Sequence, residues 1–244
     1  MSSIAYTRFE LVRTLRNWRL LMFALGFPLL LYFAIAAPNR DVDDLGGSGI
    51  PLQLYYMVGL VGFGTMMALI STGARIATER TDGWTRQLRV TPLSGHAYLR
   101  AKVATGYAMA LLTMAMLYGS GLVLGVSLPA ERWLAMTGLI LVGLIPFAAL
   151  GVLVGHLLTA DTIGPAAGGL VSLLALVSGT WFPLGGGIVA DIAEFLPSYW
   201  LVQASHVSLG ASAWPATGWI VVGAWSVVLT VLAGAAYRRD TARV

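Results

Sequence analysis

The sequence predicts an all-α fold: a polytopic membrane protein with six transmembrane helices, forming one transmembrane domain over residues 1–244. Three observations lead there. Charged residues make up 11% of the 244 and hydrophobic residues 57%, whereas a soluble domain carries about 25% charged residues. Apolar runs of about 18 residues or more, the length that crosses a bilayer, recur along the chain and leave no room for a soluble domain. The polar stretches between them alternate between basic and acidic or neutral. The net charge of +4 therefore belongs to one side of a bilayer and is no nucleic-acid signal. The lack of cysteine excludes a disulfide framework, thiolate metal sites and thiol catalysis.

Residues 1–19 predict an interfacial helix. Ile4, Leu11, Leu15 and Trp18 share one face, with Glu10, Arg13 and Arg16 largely opposite and the arginines facing lipid headgroups; Phe9 falls off the apolar face. Residues 20–37 form the first span. Ala34-Ile35-Ala36 has the form of a signal-peptide cleavage site, but the leader is long, Pro28 interrupts the run and further spans follow, so the segment reads as retained. Residues 38–51, with Asp41, Asp43 and Asp44, make an external loop. The second span is 52–74, the third 103–128 and the fourth 133–158, where Pro146 can introduce a kink. The fifth span is 164–182 and the sixth 214–237. Between these two, residues 183–213 mix Gly185–Gly187, Asp191, Glu194 and Pro197 with apolar side chains. That mixture reads as an external re-entrant hairpin, tolerated in lipid where protein buries it.

The connection 75–102 carries Arg75, Arg80, Arg86, Arg89, Arg100 and Lys102 against Glu79 and Asp82. Thr81 or Asp82 can cap a short helix through Trp84, Leu88 and Val90 that stops at Thr91-Pro92, since the residue before a proline leaves the helical region. Trp84 and Leu88 then share a face, away from Arg86 and Arg89. With both termini inside, the inner segments hold thirteen Lys/Arg and the outer ones two, Arg40 and Arg132; both termini and this loop are expected in the cytoplasm. Gly121-x-x-x-Gly125, Gly151-x-x-x-Gly155 and Gly164-x-x-x-Gly168 each permit close helix contact. Trp133, Trp181, Trp200, Trp214 and Trp219 lie near predicted span ends, as interfacial anchors do.

No Asp, Glu, Lys or Arg lies in the middle of any predicted span, which argues against a self-powered proton- or ion-coupled transporter. No charged ring or selectivity filter is evident. Lys102, the one lysine, is not preceded by a phosphate-cradling glycine loop, and His96, His156 and His206 are too scattered for a metal site. No catalytic residue is expected. A membrane protein with no energy source of its own and a structured basic loop is expected to draw energy from a partner through that loop.

Two motifs resemble the ABC-2 type transporter permeases, the membrane subunits of bacterial ATP-binding-cassette exporters. The first is Glu79-Arg80, Gly83, Leu88 and Thr91-Pro92-Leu93-Ser94, followed by Lys102; Gln87 stands where relatives often carry an acidic residue or arginine. The second is Ser178-Gly179-Thr180-Trp181-Phe182-Pro183 with Leu196-Pro197. The resemblance implies a separate ATPase subunit that binds ATP and Mg²⁺, no cofactor in this chain, and a second permease subunit, either a copy or a paralogue, in the inner membrane of a bacterium. It implies that Trp84 to Val90 is a coupling helix, with Glu79, Arg80, Arg86, Gln87 and Arg89 as polar contacts and Trp84 and Leu88 as apolar anchors. It also implies a substrate path near the second and fifth spans, with Phe63, Met66, Met67, Trp181, Phe182 and Pro183 as candidate lining. The expected cargo is hydrophobic or amphiphilic: a drug, an antibiotic or a lipid. Two other classes compete: a non-transporting anchor or sensor subunit for an ATPase, and an independent channel or secondary transporter.

Overall fold

The computed structural model describes residues 3–45, 49–84, 87, 90–91, 93–185, 187–204, 207 and 214–242, and among them every regular element is helical. Helix α1 (Ser3–Leu15) turns into a continuous helical stretch of α2 (Trp18–Leu21), one π-helical turn (Met22–Gly26) and α3 (Phe27–Ala36). The π turn lies just before Pro28, which has no N–H to return to the preceding turn. The backbone widens there, and the Phe27 N–H bonds to the Met22 carbonyl instead. The remaining helices are α4 (Leu52–Thr81), α5 (Gly95–Val123), α6 (Ala130–Gly143), α7 (Ile145–Leu157), α8 (Ala160–Val177), α9 (Ile188–Ala193), α10 (Pro197–Gln203) and α11 (Ala216–Ala242). Among the described residues, five stretches are long and apolar enough to cross a membrane: α4, α5, α6 with α7, α8 and α11; the first apolar helix, Ala24–Ala36, is shorter.

Helix α4 is the axis of the bundle. Its most apolar stretch is 83% buried, against 22% for α8. A helix apolar on all sides belongs in the middle of a bundle, and α4 meets α3, α5, α7, α8 and α10. The closest approach is to α7. A Cβ on Gly73 would lie 2.2 Å from the Gly151 carbonyl carbon, and one on Gly155 2.3 Å from the Gly73 oxygen. The Gly151-x-x-x-Gly155 motif is thus a real close crossing. Gly164 and Gly168 face open space, and Gly125 lies beyond the end of α5.

Helix ends depart from the hydropathy limits. Helix α4 continues past residue 74 to Thr81, because Arg75–Thr81 is polar but contains no helix breaker. Asp82, offered by the sequence as an N-cap, is the C-cap of α4. Helix α5 begins at Gly95, where the Ser94 Oγ accepts from the Ala97 N–H at 3.2 Å. Helix α8 stops at Val177 because Gly179 takes φ +76; its N–H meets the Leu176 carbonyl, and the Thr180 N–H meets that of Ala175. The expected kink appears as a break at Leu144 between α6 and α7, ahead of Pro146.

Helix α1 corrects one expectation. Its apolar side is outward, with Ile4 82% and Leu15 41% exposed, but Tyr6, Glu10 and Thr14 face the protein, and Arg13 reaches Glu79 and not a lipid headgroup. At the far end of the bundle, α9 and α10 fold back onto it. The Ser178 Oγ donates to the Ser198 Oγ at 2.5 Å, and the Tyr56 hydroxyl to the Trp181 carbonyl at 2.8 Å. The Tyr55 hydroxyl bonds the Gly179 carbonyl.

Candidate functional site

The basic end of α4 holds two ion clusters, fed by adjacent residues. Glu79, 1% exposed, turns toward α1 and α5. Lys102 Nζ lies 2.6 Å from the Glu79 Oε1 and 2.5 Å from the Glu10 Oε1. Arg13 Nη1 reaches the same Glu79 oxygen at 2.8 Å, and the Tyr98 hydroxyl donates to the other at 2.5 Å. Arg75 Nη1 donates to the Thr14 Oγ1 and sits 3.7 Å from the Glu10 Oε1. Lys102 and both carboxylates are fully buried. Charges so placed persist only when paired, so each one fixes the helix that carries it.

Arg80 turns the other way. Its Nε lies 2.7 Å from the Asp240 Oδ2, and its Nη1 donates to the His156 carbonyl at 2.9 Å. The His156 Nδ1 is 2.9 Å from the same Asp240 oxygen. One turn of α4 thus grips α1 and α5 through Glu79, and α7 and α11 through Arg80. The loop that follows is tied to this structure. The Trp84 ring stacks on Phe9 at 6.2 Å between centroids, lies under the Arg13 guanidinium at 5.9 Å, and points its Nε1 at the Tyr6 hydroxyl, 3.5 Å away. Burial pushes the Tyr6 phenol well above its ordinary range, so the hydroxyl stays neutral.

Residues 34–235 match the family model described as ABC-2 family transporter protein. The chain belongs to the ABC-2 transporter family. It is also 31% identical over 196 residues to YvfS, a protein of Bacillus subtilis (strain 168) named as a transport permease, with 78% of each chain covered. This ABC-2 protein is therefore a multi-pass membrane protein of the transport-permease type. Helix α1 precedes the matched residues, so Glu10 and Arg13 lie outside them.

The structure sorts the residues singled out in the permease sequence. Glu79 and Arg80 face inward, into the two clusters. Trp84 is half-buried on α1. Gly83 takes φ +71 after the α4 C-cap, and the Gln87 N–H bonds its carbonyl at 3.2 Å, the one described helical hydrogen bond of this loop. Gln87 is exposed, Val90 is 88% exposed, and the Thr91 Oγ1 accepts from the Leu93 N–H. Arg86, Leu88, Arg89 and Pro92 lie outside the described residues. Among the candidate path residues, Phe63 is buried between Phe27 and Trp181, at 6.1 and 5.7 Å, and Met66 is fully buried. Met67 and Pro183 are half-buried and Phe182 is exposed. Of these six, Phe63 and Trp181 are brought into contact. The sequence reading missed Glu10, His156 and Asp240. The available signal was the spacing of Tyr6, Glu10 and Thr14, a polar i, i+4, i+8 stripe within an otherwise amphipathic leader.

Proposed function

We propose that this ABC-2 permease is the transmembrane subunit of an ATP-driven exporter of hydrophobic or amphiphilic substrates. It works with a second permease subunit and with an ATPase that binds ATP and Mg²⁺. The segment 82–94 docks that ATPase on the cytoplasmic side of the inner membrane, and both termini lie on that side. The observation that carries this reading is the mounting of the loop. Trp84 rests on α1, and the preceding turn of α4 grips four helices through Glu79 and Arg80. A push on the loop is therefore delivered to α1, α5, α7 and α11 together. Docking falls to the exposed Gln87 and Val90 of the loop, with Val90 as the apolar contact, and Trp84 braces it from behind.

Six spans follow if the helical stretch from Trp18 to Ala36 crosses the membrane despite its short apolar part. Two contacts support a re-entrant hairpin for α9 and α10. The Trp225 Nε1 donates to the Phe195 carbonyl at 2.8 Å, about 13 Å along α11 from its start. Leu201 packs on Gly62 and on Gly143, beside the mid-span break.

The test is co-purification with the ATPase, followed by substrate-stimulated ATP hydrolysis. Val90→Asp is expected to leave the permease inserted and folded but to weaken association by about 2 kcal/mol, as loss of an interface anchor does. Association unchanged by Val90→Asp rejects the docking assignment. An ATPase that associates but is never stimulated by any amphiphile points to the anchor or sensor class. No associated ATPase at all returns the chain to the channels and secondary transporters.

A further inference from the structure

A cleft of about 530 Å³ opens between α4, α8 and the start of the first apolar helix, at the basic end of the bundle. That volume lies within the range of small-molecule sites, about 300–1,000 Å³. Its walls are mainly apolar, including Ala24, Met67, Ala167 and Gly168, and Arg75 lies at one end with Ser71 and Thr78 beside it. On α4, the hydroxyls of Thr65, Thr72 and Thr81 bond back to carbonyls of their own helix, whereas those of Ser71 and Thr78 make no hydrogen bond among the described residues.

Among the described residues, the charge count of the Glu79 cluster does not close. The cluster holds two carboxylates, Glu10 and Glu79, against three cations, Arg13, Arg75 and Lys102. The Glu10 Oε1 is taken by Lys102 at 2.5 Å, which leaves Arg75 at 3.7 Å as the least compensated cation. Its side chain is 14% exposed, so a bound anion there is screened little by solvent.

We propose that this cleft binds an amphiphile with one acidic head, a phosphate or carboxylate, held by Arg75 with Ser71 and Thr78, and with its tail along Met67, Ala167 and Gly168. A cationic group among hydroxyls at one end of an apolar trough fits a negatively charged head on a hydrocarbon chain. It does not fit a neutral hydrophobe, which adds no negative charge to the weak Arg75–Glu10 pairing, or a cation, which Arg75 repels. The inference rests on the export reading above only in placing the cleft at the cytoplasmic leaflet. It narrows the substrate class, since the acidic amphiphile is either a resident membrane lipid or the cargo.

Binding is measured on the purified full-length permease in neutral detergent without any ATPase, so the result stands whether or not the export reading does. The probe is radiolabelled hexadecyl phosphate, with hexadecanol as the uncharged control. Saturable binding of hexadecyl phosphate is expected, reduced roughly tenfold by Arg75→Gln, the effect of losing one charge-assisted contact, and retained by Arg75→Lys. Because Arg75 also contacts α1, Gly168→Leu is the second variant. A Cβ at Gly168 meets no atom within 4 Å, so a leucine there fills the cleft while Arg75 stays in place, and binding should fall by a similar factor. Competition by phosphatidylglycerol identifies a membrane lipid as the occupant. Binding that phosphatidylglycerol does not displace identifies the cargo. Equal affinity for hexadecanol and hexadecyl phosphate, or unchanged binding in both Arg75→Gln and Gly168→Leu, overturns the proposal.

Discussion

Glu79 and Arg80 are neighbours in the chain and bond to opposite sides of the bundle: Glu79 to Lys102 and Arg13, Arg80 to Asp240 and the His156 carbonyl. Successive residues on a helix point about 100° apart. An acid–base pair at the end of a central helix can therefore hold a different set of neighbours with each member. The arrangement gives the basic end of the permease a rigidity that apolar packing between helices, which lipid tails can replace, does not provide.

Lys102 is the residue on which this rigidity turns. Lys102→Met leaves Glu10 and Glu79 buried with less cationic compensation, and loss of one member of a buried ion cluster costs about 3–5 kcal/mol. The melting temperature of the detergent-solubilised protein should fall accordingly. Adding Glu10→Gln should recover part of the loss, since it removes a charge left unpaired. A double variant no more stable than Lys102→Met would show that the two side chains do not interact.

The α4–α7 crossing makes a sharper prediction. Gly151→Val places side-chain atoms against the backbone of Leu69 and Ile70, where a Cβ alone would be 2.7 Å from the Leu69 oxygen. No flexible side chain can yield there. The variant should be lost from the membrane or should aggregate on solubilisation. Gly138→Val, on the same predicted span but facing open space, should be recovered at wild-type yield. Equal yields would rule out the close crossing.

The Arg80–Asp240 pair is partly exposed, 31% and 21%, so its loss should be milder, about 1 kcal/mol. Asp240→Asn should leave the fold intact and speed amide exchange in the last turns of α11. Exchange elsewhere, including α1, should not change. Uniform acceleration across all helices would mean that Asp240 supports the whole fold and does not locally anchor the C-terminal helix.

Tyr6 should reveal itself at high pH. Burial raises its phenol pKa above the ordinary value of about 10. The neutral phenol therefore favours the folded state below that value, and its contribution is lost as pH rises through and beyond it. The melting temperature of the wild type should fall more steeply between about pH 9 and 11 than that of Tyr6→Phe. Superimposable alkaline limbs would mean that α1 does not bury this hydroxyl.

The membrane class, the helical content, the break ahead of Pro146 and the family were all legible in the sequence, because hydropathy, proline chemistry and the two short motifs report on them directly. Helix ends were less so. Hydropathy marks where lipid stops, and at Arg75–Thr81 the helix continues beyond that point, packed against α1 and α5, because nothing in those residues ends it. The role of α1 was missed for a related reason. Amphipathicity says that Ile4 and Trp18 face something apolar, but it cannot distinguish a headgroup opposite Glu10 from Lys102, which is distant in sequence. For the same reason Trp84 read as an anchor offered to a partner, when part of its surface is already taken by Phe9.

The Glu10–Lys102 bond spans 92 residues of sequence. A ribosome adding roughly 5–20 residues per second needs on the order of 5–20 s between making the two. During that interval α1 has a carboxylate with no lysine to receive it, and its apolar face can only rest on the bilayer surface. Asp240, made 138 residues after Lys102, then secures Arg80. Biogenesis of this end of the permease is therefore ordered by the charges themselves: α1 waits at the membrane, the emergence of α5 draws it in, and α11 completes the assembly when Asp240 follows.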